Sequence, residues 1–159
     1  MKIGIVCFNL FIAGGARLIF NLAHILQEKG HKVVIYTPQF EAADYGELAR
    51  GLDIRVVKTA TPITYFKSKK PGNVLAWLLQ KAKHEREFVQ ASHAIAEAMD
   101  PDFDVVSVHD SSYRAAHYYK SRVASRAGTA PRAVWTVNGP PFRYLSRGKW
   151  YYDILGYAY

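Results

Sequence analysis

The first 37 residues follow the order strand, glycine turn, helix, strand, and this order constrains the fold more than any other feature. Ile3 to Phe8 is a continuous apolar run with β-branched side chains, which is typical of a strand buried on both faces of a parallel sheet. The turn at Gly14-Gly15 leads into a helix that Lys29-Gly30 ends with a cationic last turn and a glycine cap. Its apolar positions recur at helical spacing: Leu18, Leu22, Ile25 and Leu26. Lys32 to Thr37 is the second strand, so the segment predicts a right-handed βαβ unit.

Strands and helices continue to alternate as far as residue 137. Further strands are predicted at Ile54 to Val57, Phe103 to Val108 and Ala133 to Val137. A long helix is predicted between Asn73, its N-cap, and Asp100-Pro101, which end it. Its apolar stripe consists of Leu75, Leu78, Leu79, Phe88, Ile95 and Met99. A shorter helix runs from Ser111 to Arg126. The alternation predicts a three-layer α/β/α sandwich, one Rossmann-like domain over residues 1–159 whose parallel sheet has the strand order 3-2-1-4-5.

In such a sheet the ligand crevice lies at the carboxyl ends of the strands, where the strand order reverses. Three predicted loops meet there, and each is rich in groups that can bind a substrate: Asn9 to Arg17, His109 to Ser112, and Asn138 to Phe142. The candidate binding residues in these loops are Gly14, Gly15, Arg17, Asp110 and Asn138, and the candidate catalytic residue is His109.

The glycine pair before the first helix would let a substrate approach the backbone closely, and the helix N-terminus would favour an anion there. The spacing matches neither the Gly-x-Gly-x-x-Gly fingerprint of dinucleotide-binding proteins nor a phosphate-binding P-loop. A tight strand-to-helix turn without a ligand is an equally good interpretation of the same residues. Arg17 would either hold a phosphate or be a solvated residue of the first turn.

His109 and Asp110 follow the predicted fourth strand at the rim of the crevice. A histidine there can act as a base, a hydrogen-bond donor or an orienting group, although an isolated histidine is often structural. Asp110 would point into the crevice or cap the next helix, and capping is the favoured role. The other five histidines share no metal-ligand spacing, so no metal site is predicted.

The formal net charge of +8 is concentrated in two segments that contain no acidic residue, Ile54 to His84 and Ser111 to Tyr152. Aromatic residues accompany the cations, as they do in segments that bind membrane surfaces. The candidate contacts to an anionic membrane are Lys67, Lys69, Lys70, Arg143, Arg147 and Lys149. Solvated charge beside a core helix is the favoured alternative, and nucleic acid is the least favoured partner.

Cys7 is the only cysteine, which excludes an intrachain disulfide and a cysteine zinc site and fits a reducing compartment. No run approaches the roughly 20 apolar residues of a membrane span. The first apolar run is too short for a signal sequence and lacks a small-residue cleavage site. We therefore expect a cytoplasmic protein, with any membrane contact peripheral.

Several short stretches occur together in an order that resembles a known family. Ala13 to Ala23 reads Ala-Gly-Gly-Ala-Arg-Leu-Ile-Phe-Asn-Leu-Ala, and it is followed by Gly30-His31-Lys32-Val33 and by a strand ending in Thr37. This segment resembles the opening of family 4 glycosyltransferases of the GT-B fold. The resemblance is specific over residues 1–37, extends to Phe103-Asp104-Val105-Val106 with His109, and is architectural only between residues 38 and 100.

The resemblance implies the N-terminal, acceptor-side domain of a retaining enzyme of hexosyltransferase type, which moves a sugar from a nucleotide-sugar to an acceptor. It implies that Gly14 and Gly15 face the donor phosphates and the acceptor, and that His109 lies near the transferring sugar. Ala16 departs from the family pattern, in which this position is often acidic. The nucleotide-sugar is a cosubstrate, and the resemblance implies no metal or other cofactor.

The C-terminal donor domain of such enzymes is absent from these 159 residues. Because one half of a cleft neither stabilises the departing diphosphate nor excludes water, we expect the chain to be inactive alone. It would be a fragment of a longer enzyme or would act with a separate subunit that carries the donor site. The alternative function, from a different class, is a stand-alone α/β module that binds a phosphorylated ligand without catalysis.

Overall fold

The computed structural model describes residues 1–8, 10, 14–41, 45–59, 74–109 and 112–136, with the side chains of residues 14, 74–75 and 77–78 left aside. Its strands are β1 Lys2–Val6, β2 Lys32–Thr37, β3 Asp53–Val56, β4 Val105–His109 and β5 Arg132–Thr136. Its helices are α1 Gly14–Glu28, α2 Val74–Ala98 and α3 Tyr113–Tyr118, which continues as a π-helix over Tyr119–Ala124. A short 3-10 helix, Gly46–Ala49, precedes β3.

The five strands form one parallel sheet in the order β3-β2-β1-β4-β5. The predicted Rossmann-like topology and strand order are therefore confirmed. The second strand has the predicted bounds, and the other strands differ from prediction by one or two residues at each end. The difference matters for β4, because the ladder to β5 continues to the pair His109 and Thr136. His109 is thus the last residue of the strand and not the first residue of the loop.

Side chains alternate between the two faces of the sheet, and each face packs against its own helical layer. On the first face, Ile5 belongs to a buried cluster that includes Phe20 of α1. On the second face, Val106 belongs to a buried cluster that includes Ile95 of α2 and Tyr119 of the π-helix. The arrangement is the predicted three-layer α/β/α sandwich.

The buried face of α1 differs from the predicted apolar stripe. Ile19, Phe20 and Ala23 are fully buried, whereas Leu18 and Ile25 are half exposed. The ring of Phe20 packs edge-on against Tyr45, with ring centroids 4.9 Å apart, and Tyr45 precedes the 3-10 helix. The prediction was wrong for Leu18 and Ile25 because packing against this distant segment sets the rotation of the helix.

The second helix is much longer than the strands it covers. Its 25 residues span about 37 Å, about twice the length of a five-residue strand. The C-terminal half packs on the sheet through Ile95, and Met99 is buried just after the helix ends. Leu79 lies in the other half, which extends past the carboxyl ends of the strands, and it is 65% exposed. The predicted stripe is therefore wrong at Leu79, and Leu75, Leu78 and the predicted N-cap Asn73 lie outside the described side chains.

Gly30 caps α1 as predicted, but the helix ends at Glu28 and its last turn contains no basic residue, so the predicted cationic last turn was wrong. Its N–H donates to the carbonyl of Gln27 at 2.8 Å, and the next N–H, from His31, donates to the carbonyl of Leu26 at 3.0 Å. This pair of bonds requires the left-handed backbone seen at Gly30, where φ is +80° and a side chain would be strained. The glycine therefore fixes the turn from α1 into β2.

Candidate functional site

The start of α1 and His109 lie on the same face of the sheet. Both are at the end of the sheet where the strands finish, which we call the carboxyl edge. α1, which begins at Gly14, is the next element after β1 and packs on the first face. His109 ends the neighbouring strand β4, and its side chain lies on that same face, because Val106 and Val108 alternate with it and belong to the second face. His109 is only 2% exposed. Gly14 and Gly15, predicted as a turn before the helix, are instead its first two residues. The structure thus places the glycine pair and the histidine on one face at the carboxyl edge, while their roles stay predictions.

Ser112 fixes the strand ends at this edge. Its hydroxyl oxygen accepts a hydrogen bond from the backbone N–H of His109 at 2.9 Å. The hydroxyl proton is shared between the carbonyls of Val6, at 2.9 Å, and His109, at 2.5 Å. Ser112 is completely buried, so one side chain joins the carboxyl ends of β1 and β4. The sequence interpretation placed Ser112 at the end of a candidate loop and at a helix start, and no local signal distinguishes this serine from its neighbour Ser111.

The remaining predicted site residues fall into two groups. Gly15 is half-buried in the first turn of α1, and Arg17 is exposed on the same turn. The others lie outside the described residues: Asp110, Asn138, Lys67, Lys69, Lys70, Arg143, Arg147 and Lys149. Ser112 occupies the N-cap position of α3 but its side chain does not cap the helix, because its hydroxyl is engaged with the strand ends.

A cavity of about 170 Å³ opens on the second face, between the extended half of α2 and the start of α3. We call it the α2–α3 cavity, and it is lined by His84, Glu85, Phe88, Tyr113 and Arg114. The ring of Phe88 packs edge-on against Phe8, which follows β1, with ring centroids 4.9 Å apart. The cavity therefore lies at the same carboxyl edge as His109, on the opposite face. Sequence reasoning missed it, because its two sides are 29 residues apart in the chain.

An ion pair forms one wall of the α2–α3 cavity. The Arg114 guanidinium donates to the Glu85 carboxylate at 2.8 Å, and the Arg114 side chain is only 15% exposed. Burial alone would lower the pKa of Arg114, but the bond to Glu85, the negative charge of Glu85 and the Tyr113 side chain together outweigh burial, and the pKa lies above its ordinary value. The wall therefore holds the Arg114 guanidinium against the Glu85 carboxylate.

Tertiary structure also pairs other cations of the two acid-free segments with acids from elsewhere. Arg55 bonds to Asp100 at 2.8 Å and to Asp53 at 3.1 Å, and Arg126 lies 3.5 Å from Glu97. Arg55, Arg114 and Arg126 all belong to the two acid-free segments, and nearby acids partly neutralise the charge of each. The uneven charge along the sequence therefore overstates the basic surface of the described residues.

Within the described residues, no group of three or more His, Cys, Asp or Glu side chains converges to hold a metal ion. Among the helices of the described part, none is both long enough and apolar enough to cross a bilayer.

Comparison with known proteins decides the family. A protein-family model described as Glycosyltransferase Family 4 matches residues 12–159. The chain belongs to Glycosyltransferase Family 4. The resemblance seen in the first 37 residues is thus confirmed for nearly the whole chain. No individual curated protein matches the sequence of this Family 4 domain.

Proposed function

We propose that this Family 4 domain is the acceptor-side half of a retaining glycosyltransferase of the GT-B type, which transfers a sugar from a nucleotide-sugar to an acceptor. The observation that carries the proposal is the corner at the carboxyl edge, where the glycine-led N-terminus of α1 and buried His109 share one face. Family membership supports glycosyl transfer as the reaction class. Open α/β sheets also bind their ligands at this edge.

In this proposal each part of the corner has one role. The N–H groups that open α1 at Gly14 and Gly15 stabilise negative charge on the donor phosphates. Arg17, exposed on the same turn, reaches an anionic group of the substrate. His109 is shielded from bulk water, where a hydrogen bond to the transferring sugar is stronger than in solution. No step in this scheme requires a metal ion.

The proposal includes a second domain, in cis or as a separate subunit, which binds the nucleotide-sugar. One edge of a single sheet leaves the departing nucleotide diphosphate exposed to water, and closing the cleft would exclude that water. The domain alone is therefore expected to bind substrate groups without transferring a sugar.

The test measures initial rates of the complete natural polypeptide, together with its donor domain, on a panel of nucleotide-sugars. We expect His109→Ala to lower the transfer rate by about a hundredfold or more, because a buried hydrogen-bonding group at the reacting sugar is removed. The matched control is His117→Ala, since His117 is exposed on α3 and should leave the rate unchanged. Unchanged transfer by His109→Ala would contradict the role of His109. Binding of phosphorylated ligands without transfer from any nucleotide-sugar would favour the non-catalytic module.

Peripheral contact with an anionic membrane belongs to the same proposal. Exposed cations occur on both helices of the second layer, Lys83 on α2 and Lys120 and Arg122 on the π-helix. Cations on one layer favour a surface rich in anionic lipid. Flotation with vesicles of phosphatidylcholine, with and without phosphatidylserine, tests this contact. Equal flotation with both vesicle types would contradict it.

A further inference from the structure

The α2–α3 cavity has the size of a subsite for one small chemical group. Its volume of about 170 Å³ is below the roughly 300 to 1,000 Å³ of pockets that enclose a drug-sized ligand. Tyr113 lies four residues after His109, at the start of α3, so the cavity opens at the carboxyl edge where the proposed reaction takes place. A group bound there would belong to a substrate that extends along this edge.

The lining of the cavity combines aromatic rings with planar polar groups. The ring of Phe88 packs against Phe8 and against His84, and the centroids of the Phe88 and His84 rings are 5.4 Å apart. Tyr113 packs at 5.6 Å against Trp135, the half-exposed tryptophan of β5. Aromatic faces offer an apolar surface of the kind that covers the C–H face of a sugar ring. The ion pair and the imidazole offer donors and acceptors that match neighbouring hydroxyl groups.

The charge of the cavity selects against an anion. Arg114 is already bonded to Glu85, so a phosphate or carboxylate entering the cavity would meet the Glu85 carboxylate as well as the guanidinium. The pair fixes two charges of opposite sign on one wall of the cavity. An uncharged, polyhydroxylated ligand can bond to both partners without separating them.

We propose that the α2–α3 cavity binds one uncharged pyranose ring of the acceptor, an inference that rests on the proposed function. Tyr113 and Phe88 contact the apolar face of the ring, and Arg114, Glu85 and His84 bond to its hydroxyl groups. The cavity thereby selects acceptors that carry a neutral sugar.

The experiment is a titration of the isotope-labelled full chain, followed by amide and side-chain NMR shifts. The probes are the methyl pyranosides of glucose, galactose, mannose and N-acetylglucosamine, with methyl glucuronate and inorganic phosphate as anionic counterparts. We expect at least one neutral pyranoside to shift the signals of Tyr113 and Arg114 at millimolar concentration. Phosphate should leave those signals unchanged.

The decisive variant is Glu85→Gln, which removes the negative charge from a side chain that is half exposed. Because Arg114 then faces the cavity without its counter-charge, affinity for glucuronate should rise by about tenfold and affinity for the neutral pyranoside should fall. The matched control is Glu97→Gln, which breaks the similar α2 pair with Arg126 away from the cavity and should change neither affinity. Tyr113→Ala should weaken the neutral pyranoside by about tenfold.

Three outcomes would overturn the inference: no pyranoside shifts the cavity signals, phosphate shifts them more strongly than any pyranoside, or Glu85→Gln and Glu97→Gln behave alike. The readout is binding and needs no turnover. If the transfer assay fails but pyranosides shift the cavity signals, the proposed function is wrong and the cavity remains a saccharide site. If transfer succeeds without such shifts, only the subsite is wrong.

Discussion

The amino ends and the carboxyl ends of the strands, which form the amino edge and the carboxyl edge of the sheet, are stabilised in different ways. At the amino edge, Lys2 and Arg55 both bond to Asp100, and Lys2 also bonds to Asp102. The carboxyl edge depends, between β1 and β4, on the hydroxyl of Ser112. The amino edge therefore distributes its stability over several charged groups that are partly exposed. Among the described residues, the carboxyl edge concentrates its stability in one buried group.

The amino edge is further stabilised by a buried tyrosine of the π-helix. The Tyr119 hydroxyl donates to the carbonyl of Asp100 at 2.8 Å and accepts from the N–H of Phe103 at 3.3 Å. Tyr119 is fully buried, and burial is the main reason that the pKa of its phenol is raised. It thus joins the α2–β4 connection to the helical layer.

The largest effect is expected for Tyr119→Ala, which should lower the free energy of unfolding by about 3 to 5 kcal/mol, because it leaves a large cavity in the second-face core. Tyr119→Phe keeps the ring and removes only the hydroxyl, so its cost should be about 1 to 2 kcal/mol. Urea denaturation followed by circular dichroism measures both. Equal costs for the two variants would show that the hydroxyl, and not the ring, stabilises this edge.

Ser112→Ala comes next, with an expected loss of about 2 to 3 kcal/mol, because the variant removes the buried acceptor of the His109 N–H and a donor to the strand ends. The control is Ser121→Ala, whose exposed hydroxyl bonds only within its own helix and should cost less than about 0.5 kcal/mol. The same urea titration compares them. A loss as small as that of the control would mean that the carboxyl edge does not depend on Ser112.

Asp100→Asn should cost about 1 to 2 kcal/mol at neutral pH, since its two ion pairs are partly shielded from water. Glu47→Gln, which breaks a largely exposed pair with Arg50, should cost less than about 0.5 kcal/mol. If the two substitutions are equally mild, the amino edge does not owe its stability to the Asp100 pairs.

The effect of Asp100 should also depend on pH. Burial alone would raise the pKa of this carboxyl, but its bonds to Lys2 and Arg55 outweigh burial and the pKa is lowered. With a lowered pKa, the stabilisation is complete above the unfolded-state value of about 3.9 and is lost as the pH falls through the folded-state value. The free energy of unfolding should therefore decrease more between pH 6 and pH 3 for the unsubstituted protein than for Asp100→Asn. Parallel slopes would contradict the assignment.

Much of the fold could be predicted because its signals are local. The strand from Lys32 to Thr37 and the cap at Gly30 have the predicted bounds, since a buried parallel strand needs an apolar run and a helix end needs a left-handed residue. The sheet order follows from the alternation of elements and the handedness of their crossovers. The position of His109 at the carboxyl edge followed from the same reasoning, with a difference of one residue.

What the sequence by itself determined is therefore the layer architecture, the edge that carries the candidate site, and the family resemblance that the comparison confirmed. Only the tertiary structure decided which face of α1 is buried, which arginines are neutralised, and that α2 and α3 enclose a cavity. The physical reason is distance along the chain. Arg55 and Asp100 are 45 residues apart, and Glu85 and Arg114 are 29 apart. Periodicity reports on neighbours within a few residues, whereas these pairs exist only after the layers have packed.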